Sequence, residues 1–367
     1  MISPKLFLSA GDLSGDTAAV RVLTSLKSTH PDLQCTGLGG PRLKAEGQLQ
    51  LAAFRDLAVM GFWEVARRFS FFRRLMRECV EEIARSKPAV VVLVDYPGFN
   101  LRLAERIKPL GIPIVYYISP QVWAWGKGRL KQIQRLVDRM LVILPFEETF
   151  YRQQEVPCDF VGHYLLEDIP REFISSPPPG KKQLALLPGS RPQEIERMLP
   201  PMIQAARKLC KERQMTAVVA GVEGAFDYES LVGQSADISV VYNQSRQVVH
   251  DSDVVLVTSG TATLETGIIG RPMVVAYKTG WITYQIARRL VKLDHIALVN
   301  LVLDGDVVPE LIQGNASPER MAAEITSLLN DKGRYDSMRS RLNTLPEALG
   351  GTGSGTRAAE IIGEYLN

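Results

Sequence analysis

Short apolar runs recur along this 367-residue chain, each followed by a stretch of helical period. The first half carries KLFLSA, CTGLGG, AVVVLVDYP, IPIVYYISP, RMLVILP and CDFVGH. The second carries QLALLPGS, TAVVAGV, ISVVYN, DVVLVTSG and RPMVVAY. Runs of β-branched residues and leucine such as Val254–Val257 suit strands buried on both faces. Segments such as Leu101–Leu110 and Leu130–Val137 supply helices between them. The alternation predicts an α/β fold of two doubly wound, parallel-sheet, Rossmann-like domains facing a cleft. Between the two series lies DIPREFISSPPPGKK, whose three consecutive prolines predict a stiff, exposed linker over 168–182. The domains are then 1–167 and 183–335. A helical tail over 336–367 is interrupted by LGGTGSGT, and its return to the first domain stays open.

Composition narrows the function classes. With 46% hydrophobic and 23% charged residues, the chain resembles an ordinary globular protein, and a length of 367 suits two cores rather than one. A net charge of +3 gives no concentrated basic face for nucleic acid. Cys35, Cys79, Cys158 and Cys210 lie far apart without C-x-x-C spacing, which argues against zinc or a disulfide framework and for a reducing compartment. His30, His163, His250 and His295 show no metal-ligand spacing, so no metal is expected. The start, MISPKLFLSAGDLSGD, reaches charged residues too early for a signal peptide, and no run has the length of a membrane span. A cytosolic location is the expectation.

Four strand-to-helix turns carry candidate chemistry. In SAGDLSGD, a strand ends at Ser9, and Gly11, Asp12, Ser14 and Gly15 form a turn whose N–H groups can approach an anion. The alternative is a helix simply capped by Ser14 or Asp16. In VVVLVDYPGFN, Asp95 ends a buried-looking strand before a Pro-Gly turn. It suits a general base, or equally an Asp that bonds its own backbone. LALLPGSRPQEI places Gly189 and Ser190 in a turn, Arg191 beyond it and Pro192 at the first helical position. A guanidinium there suits a diphosphate; pairing with Glu194 or Glu196 is the alternative. In TSGTATLE, Ser259, Gly260 and Thr261 offer N–H and hydroxyl donors to a phosphate, and Glu265, one turn on, can accept ribose hydroxyls. The combination points to a nucleoside diphosphate, with a capped helix whose dipole Glu265 offsets as the alternative.

Two further stretches invite a lipid reading. SPQVWAWGKGR sets Trp123 and Trp125 in a loop that can line a pocket or pack beneath it. Over residues 62–83, Phe62, Val65, Phe69, Phe72, Met76, Cys79 and Ile83 make one stripe at helical spacing, most simply core. Trp63 and Phe71 lie off that stripe near Arg67 and Arg74, which suits a membrane surface or acyl chains, or packing against another element.

Taken together, SAGDLSGD, GLGGPRLKAEG, LAVMGFWEV, DYPGFN, SPQVWAWGKGR, LPFEETFY, VPCDFVGH, LLPGSR, SGTATLE and LVNLV resemble, in order, the lipid-A-disaccharide synthase family of glycosyltransferases, two-domain enzymes of GT-B type. The resemblance spans residues 9 to about 302. It implies an inverting, cofactor-free hexosyltransferase that joins UDP-2,3-diacylglucosamine to 2,3-diacylglucosamine 1-phosphate. The product is the β-1,6-linked lipid A disaccharide 1-phosphate, with UDP released. The first domain would take the acceptor and the second the UDP-sugar. The family's base falls on Asp95, and its nucleotide contacts on Arg191, Ser259, Gly260, Thr261, Glu265 and Asn300. Two diacyl substrates suit Trp63 and Phe71 as lipid contacts. A peripheral position on the cytoplasmic face of the inner membrane is also implied. Oligomeric state stays open, a homodimer included. Arg42, Lys127 and Arg129 are candidates for the acceptor phosphate.

The chain departs from the family pattern at Gly98, where a second acid is common, and at Asp12, which replaces a Glu. Val299 stands where Leu-Pro-Asn has proline, and His295 where tyrosine is frequent. Other readings are a different GT-B UDP-sugar enzyme, with a polyprenyl-linked acceptor or 2-epimerase activity, and a non-catalytic UDP-sugar-binding protein at a membrane.

Overall fold

The computed structural model describes residues 3–52, 69–123, 127–280 and 295–366. It divides into two compact units, Met1–Tyr164 with Gly350–Asn367, and Leu165–Leu349. The first holds β1 (Lys5–Ala10), β2 (Gln34–Leu38), β3 (Leu49–Gln50), β4 (Val90–Val94), β5 (Ile114–Tyr117), β6 (Arg139–Val142) and β7 (Cys158–Phe160). The second holds β8 (Gln183–Leu187), β9 (Thr216–Gly221), β10 (Ile238–Tyr242), β11 (Val254–Thr258), β12 (Met273–Tyr277) and β13 (Glu310–Ile312).

Every described strand pair is parallel, in the orders β3-β2-β1-β4-β5-β6-β7 and β10-β9-β8-β11-β12-β13. Both sheets reverse direction of travel once, between β1 and β4 and between β8 and β11. Such a reversal parts the following helices to opposite faces and opens a crevice at the strands' carboxyl ends. Register sharpens the point. Ala10 lies opposite Val94, and Val257 opposite Leu187, so in each unit the two turns that follow start side by side.

The cores follow from the runs. All five residues of β4 are buried, as are all five of β11. On helix Phe69–Ser86, Met76, Cys79 and Ile83 pack beneath Phe7, Val91 and Leu93. Each fully buried side chain of that size contributes roughly 1.5–3 kcal/mol. Helix Ser354–Gly363 belongs to the first unit and lies on helix Leu13–Thr29. A Cβ on Gly355 would come within 2.6 Å of the Arg21 Cβ, so only glycine permits that approach.

Three local differences from the sequence reading have physical reasons. Residues 168–182, although exposed at 170–172, 177 and 179–182, are not free-standing but tied to the second unit. The fully buried Arg271 donates to the Ser176 carbonyl at 2.6 Å and to the His250 carbonyl at 2.6 Å. Ser175 N donates to Ile268 O, Phe173 stacks on His250, and Gly180 N donates to Asp253. The Pro-Gly pair after Asp95 is no turn but the first residues of helix Pro97–Ile107, since proline's fixed φ suits N1. The edge strands β3 and β13 have two and three residues, too short to show a period.

Candidate functional site

In the first unit the chemistry gathers where β1 and β4 end. Asp95 and Tyr96 both adopt left-handed backbone, φ 45° and 48°, as does Ile118 just past β5, φ 65°. For side-chain-bearing residues that conformation costs about 1–2 kcal/mol each, and it persists only where surroundings enforce it. Here they do. Asp95 N donates to Tyr117 O at 2.9 Å, and its own carbonyl accepts from Tyr116 Oη at 2.6 Å and Asn100 Nδ2 at 2.8 Å. Asn100, fully buried, also donates to Val94 O at 3.1 Å and accepts from Ser9 Oγ at 2.8 Å. One amide thus pins the Asp95 turn to the end of β1. With its backbone so fixed, the Asp95 carboxyl is half-buried. Burial and the like charge of Asp12 push it up to about 6.

The neighbouring turn is built to fit. Asp12 caps helix Leu13–Thr29, accepting from Gly15 N at 2.6 Å, so the cap is neither Ser14 nor Asp16. Asp16 is fully buried instead, and accepts from the backbone N–H groups of Gly40, Arg42 and Leu43 at 2.8, 3.1 and 3.2 Å. That holds GLGG against SAGDLSGD. The Tyr96 ring lies on Gly11, where a Cβ would come within 2.3 Å. Past β5, Trp123 packs edge-on to Phe146 and donates to Glu147 at 2.9 Å. Glu147 is buried and pushed up to about 7 by that burial. Trp123 is therefore a packing residue of its loop. Trp63, Arg67 and Trp125 lie outside the described residues. Phe71 is half-buried against the core with the exposed Arg74 guanidinium 5.8 Å above its ring. Arg42 and Arg129 are exposed.

In the second unit the turns after β8 and β11 are open. Gly189 has φ 111°, and Ser190 and Arg191 follow exposed at the start of helix Pro192–Arg213. Arg191 pairs with Glu194 at 2.8 Å while 70% exposed, a pairing that solvent keeps weak and exchangeable. Gly260 has φ 149°, which frees the first N–H groups of helix Thr261–Ile269. Thr261 is exposed, and Ser259 Oγ donates to Ile296 O at 2.9 Å. Glu265 is bonded by Arg246. Ser259, Gly260, Thr261 and Glu265 gather around one helix N-terminus and Gly189–Arg191 precede another, and at each the dipole favours an anion by about 0.3–1 kcal/mol.

Asn300 does not join them. It is fully buried; its amide donates to Val308 O and Glu310 Oε1 and accepts from Val307 N and Val308 N, at 2.8–3.0 Å. Every hydrogen-bonding position of the side chain is taken up by the loop before β13 and by Glu310 at its start, so the side chain offers none to a nucleotide here. Sequence reading also missed Asn100, Glu147 and Arg246. Asn100 lies within DYPGFN and carries a local signal, whereas Arg246 meets Glu265 across 19 residues without one. Among the described residues no group of three or more His, Cys, Asp or Glu is placed to hold a metal ion.

The family model for lipid-A-disaccharide synthetase matches residues 6–352. The chain belongs to this family. The lipid-A-disaccharide synthase of Anaeromyxobacter sp. (strain K) is 42% identical over 380 residues, covering 98% of this chain and 97% of its own. Among solved structures, the UDP-GlcNAc 2-epimerase from Neisseria meningitidis bound to UDP-GlcNAc has a TM-score of 0.65 at 11% identity, covering 99% of each chain. A transferase from Siraitia grosvenorii in complex with UDP scores 0.63 at 13%, covering 99% of this chain and 100% of its own. At such identity the two structures share the fold alone, so fold cannot separate transferase from epimerase. The lipid-A-disaccharide synthase family match does: this chain is a glycosyltransferase with GT-B architecture.

Proposed function

We propose that the chain transfers 2,3-diacylglucosamine from its UDP conjugate to a hydroxyl of 2,3-diacylglucosamine 1-phosphate. The product is the β-1,6-linked disaccharide 1-phosphate, and UDP leaves. The match to the family over residues 6–352 carries this reading. Asp95 acts as general base: it takes the proton of the attacking hydroxyl as the new carbon–oxygen bond forms at the anomeric carbon. The bond to the diphosphate breaks with its electron pair on UDP, and one displacement inverts the centre. A base near pKa 6 is ionised at neutral pH yet basic enough to assist, a role worth typically 10²–10⁴-fold. In the second unit, Gly189, Ser190, Arg191, Ser259, Gly260 and Thr261 take the diphosphate and Glu265 the ribose. In the first, the turn bearing Asp12, Ser14 and Gly15 faces the acceptor.

The enzyme works at a membrane surface. Arg73, Arg74 and Arg77 lie exposed on helix Phe69–Ser86, which supports contact with anionic headgroups, and among the described residues no helix is long and apolar enough to cross a membrane. The test mixes protein with UDP-2,3-diacylglucosamine, with and without the acceptor 1-phosphate, in mixed micelles, and follows UDP and disaccharide by mass spectrometry. Acceptor-dependent appearance of both is expected. UDP without disaccharide, or no turnover despite UDP binding, overturns the reading.

A further inference from the structure

We propose that Arg246 is a positioning residue for nucleotide recognition: it holds the Glu265 carboxylate where a ribose hydroxyl can reach it. The inference rests on the reading of Glu265 as the ribose acceptor. Arg246 projects from helix Ser245–His250, which follows β10, while Glu265 sits one turn into the helix after β11. Arg246 Nε and one terminal nitrogen donate to Glu265 Oε1 at 3.1 and 2.7 Å, and the other terminal nitrogen donates to the Asp168 carbonyl at 2.7 Å. Both bonds to the carboxylate go to Oε1, so Oε2 lies outside the pair. The side chains are 32% and 18% exposed, so water screens this pair far less than the pair made by Arg191.

Two consequences follow for a nucleoside diphosphate at the Ser259–Thr261 turn. The guanidinium offsets the Glu265 charge, which would otherwise repel the phosphates one helical turn away. It also fixes the carboxylate against a backbone anchor at Asp168, so binding a hydroxyl orders little that is not already ordered. Only a guanidinium can do both, because its planar fork serves two acceptors on different elements at once; a lysine ammonium on its flexible stem does not replace it.

Calorimetric titration of UDP and of its 2′,3′-dideoxy analogue, against wild type, Arg246→Gln, Arg246→Lys and Glu265→Gln, tests the proposal. Wild type is expected to prefer UDP by at least about tenfold, the lower end for a hydrogen bond to a charged group. Glu265→Gln and both Arg246 variants are expected to lower that preference below about threefold, chiefly by weakening UDP. An Arg246 variant that keeps the wild-type preference overturns the proposal, and so does one that loses both ligands equally, as a merely structural residue would. Absence of preference in wild type overturns the ribose reading of Glu265 itself. Arg246→Lys, which keeps the charge, carries the test if Arg246→Gln does not fold.

Discussion

The turns at the two sheet reversals share a topology and differ in construction. In the first unit the chain after β4 runs through two strained, side-chain-bearing residues, Asp95 and Tyr96, and a buried amide and phenol hold them there. In the second unit the turns after β8 and β11 use Gly189 and Gly260 for the unusual backbone, and Ser190, Arg191 and Thr261 beside them are exposed. The first arrangement spends stability to desolvate and raise one acid. The second presents N–H groups at a helix start and an exposed arginine whose pairing with Glu194 water screens. On the proposed function one crevice moves a proton and the other holds charge, and the same fold can serve both because the difference lies within a few residues past each strand.

Five substitutions break or sharpen that contrast. The largest effect is expected from Asp95→Asn, which should lower turnover at least about 100-fold while leaving the UDP dissociation constant unchanged; equal turnover would remove Asp95 from the mechanism. Asn300→Ala comes next, and acts on stability alone. It strips partners from Val307 N, Val308 N, Val308 O and Glu310, and should cost about 2–3 kcal/mol in denaturant unfolding with UDP affinity retained. A selective loss of UDP binding there would restore it to the nucleotide site. Arg191→Ala should weaken UDP about tenfold without altering the melting temperature, since its present pairing is exposed. An unaltered constant by calorimetry would exclude the contact.

The smallest effect is a displacement in pH. The rate constant kcat/KM should rise with pH and level off above about 6, as Asp95 ionises. Asp12→Asn removes the like charge yet still accepts from Gly15 N, so it should carry that limb to lower pH. Stability runs the other way. Asp95 and Glu147 bind protons more tightly folded than unfolded, being raised from 3.8 to about 6 and from 4.5 to about 7. Between about pH 4 and 7 the folded state therefore holds more protons, and stability falls as pH rises through that window. Glu147→Gln should flatten part of this fall, whereas an unchanged slope would show that Glu147 titrates elsewhere.

Sequence alone determined the alternation of buried strands and helices, hence two parallel sheets, because a strand covered on both faces must be apolar at every position. It also marked the residues at four strand ends, because a turn that frees backbone N–H groups or strains φ demands glycine, serine or aspartate locally. DYPGFN, PGSR and SGT are legible for that reason. Tertiary structure decided what those residues do. Asn300 looked like a ligand until its partners at Val307, Val308 and Glu310 appeared. Residues 168–182 read as a stiff, exposed linker, and only the fold shows Arg271 holding Ser176 within it. Glu265 gained its partner Arg246 from another helix. In each case the deciding contact joins residues distant in sequence, and a buried polar group takes its role from whichever partner the fold brings within hydrogen-bonding reach.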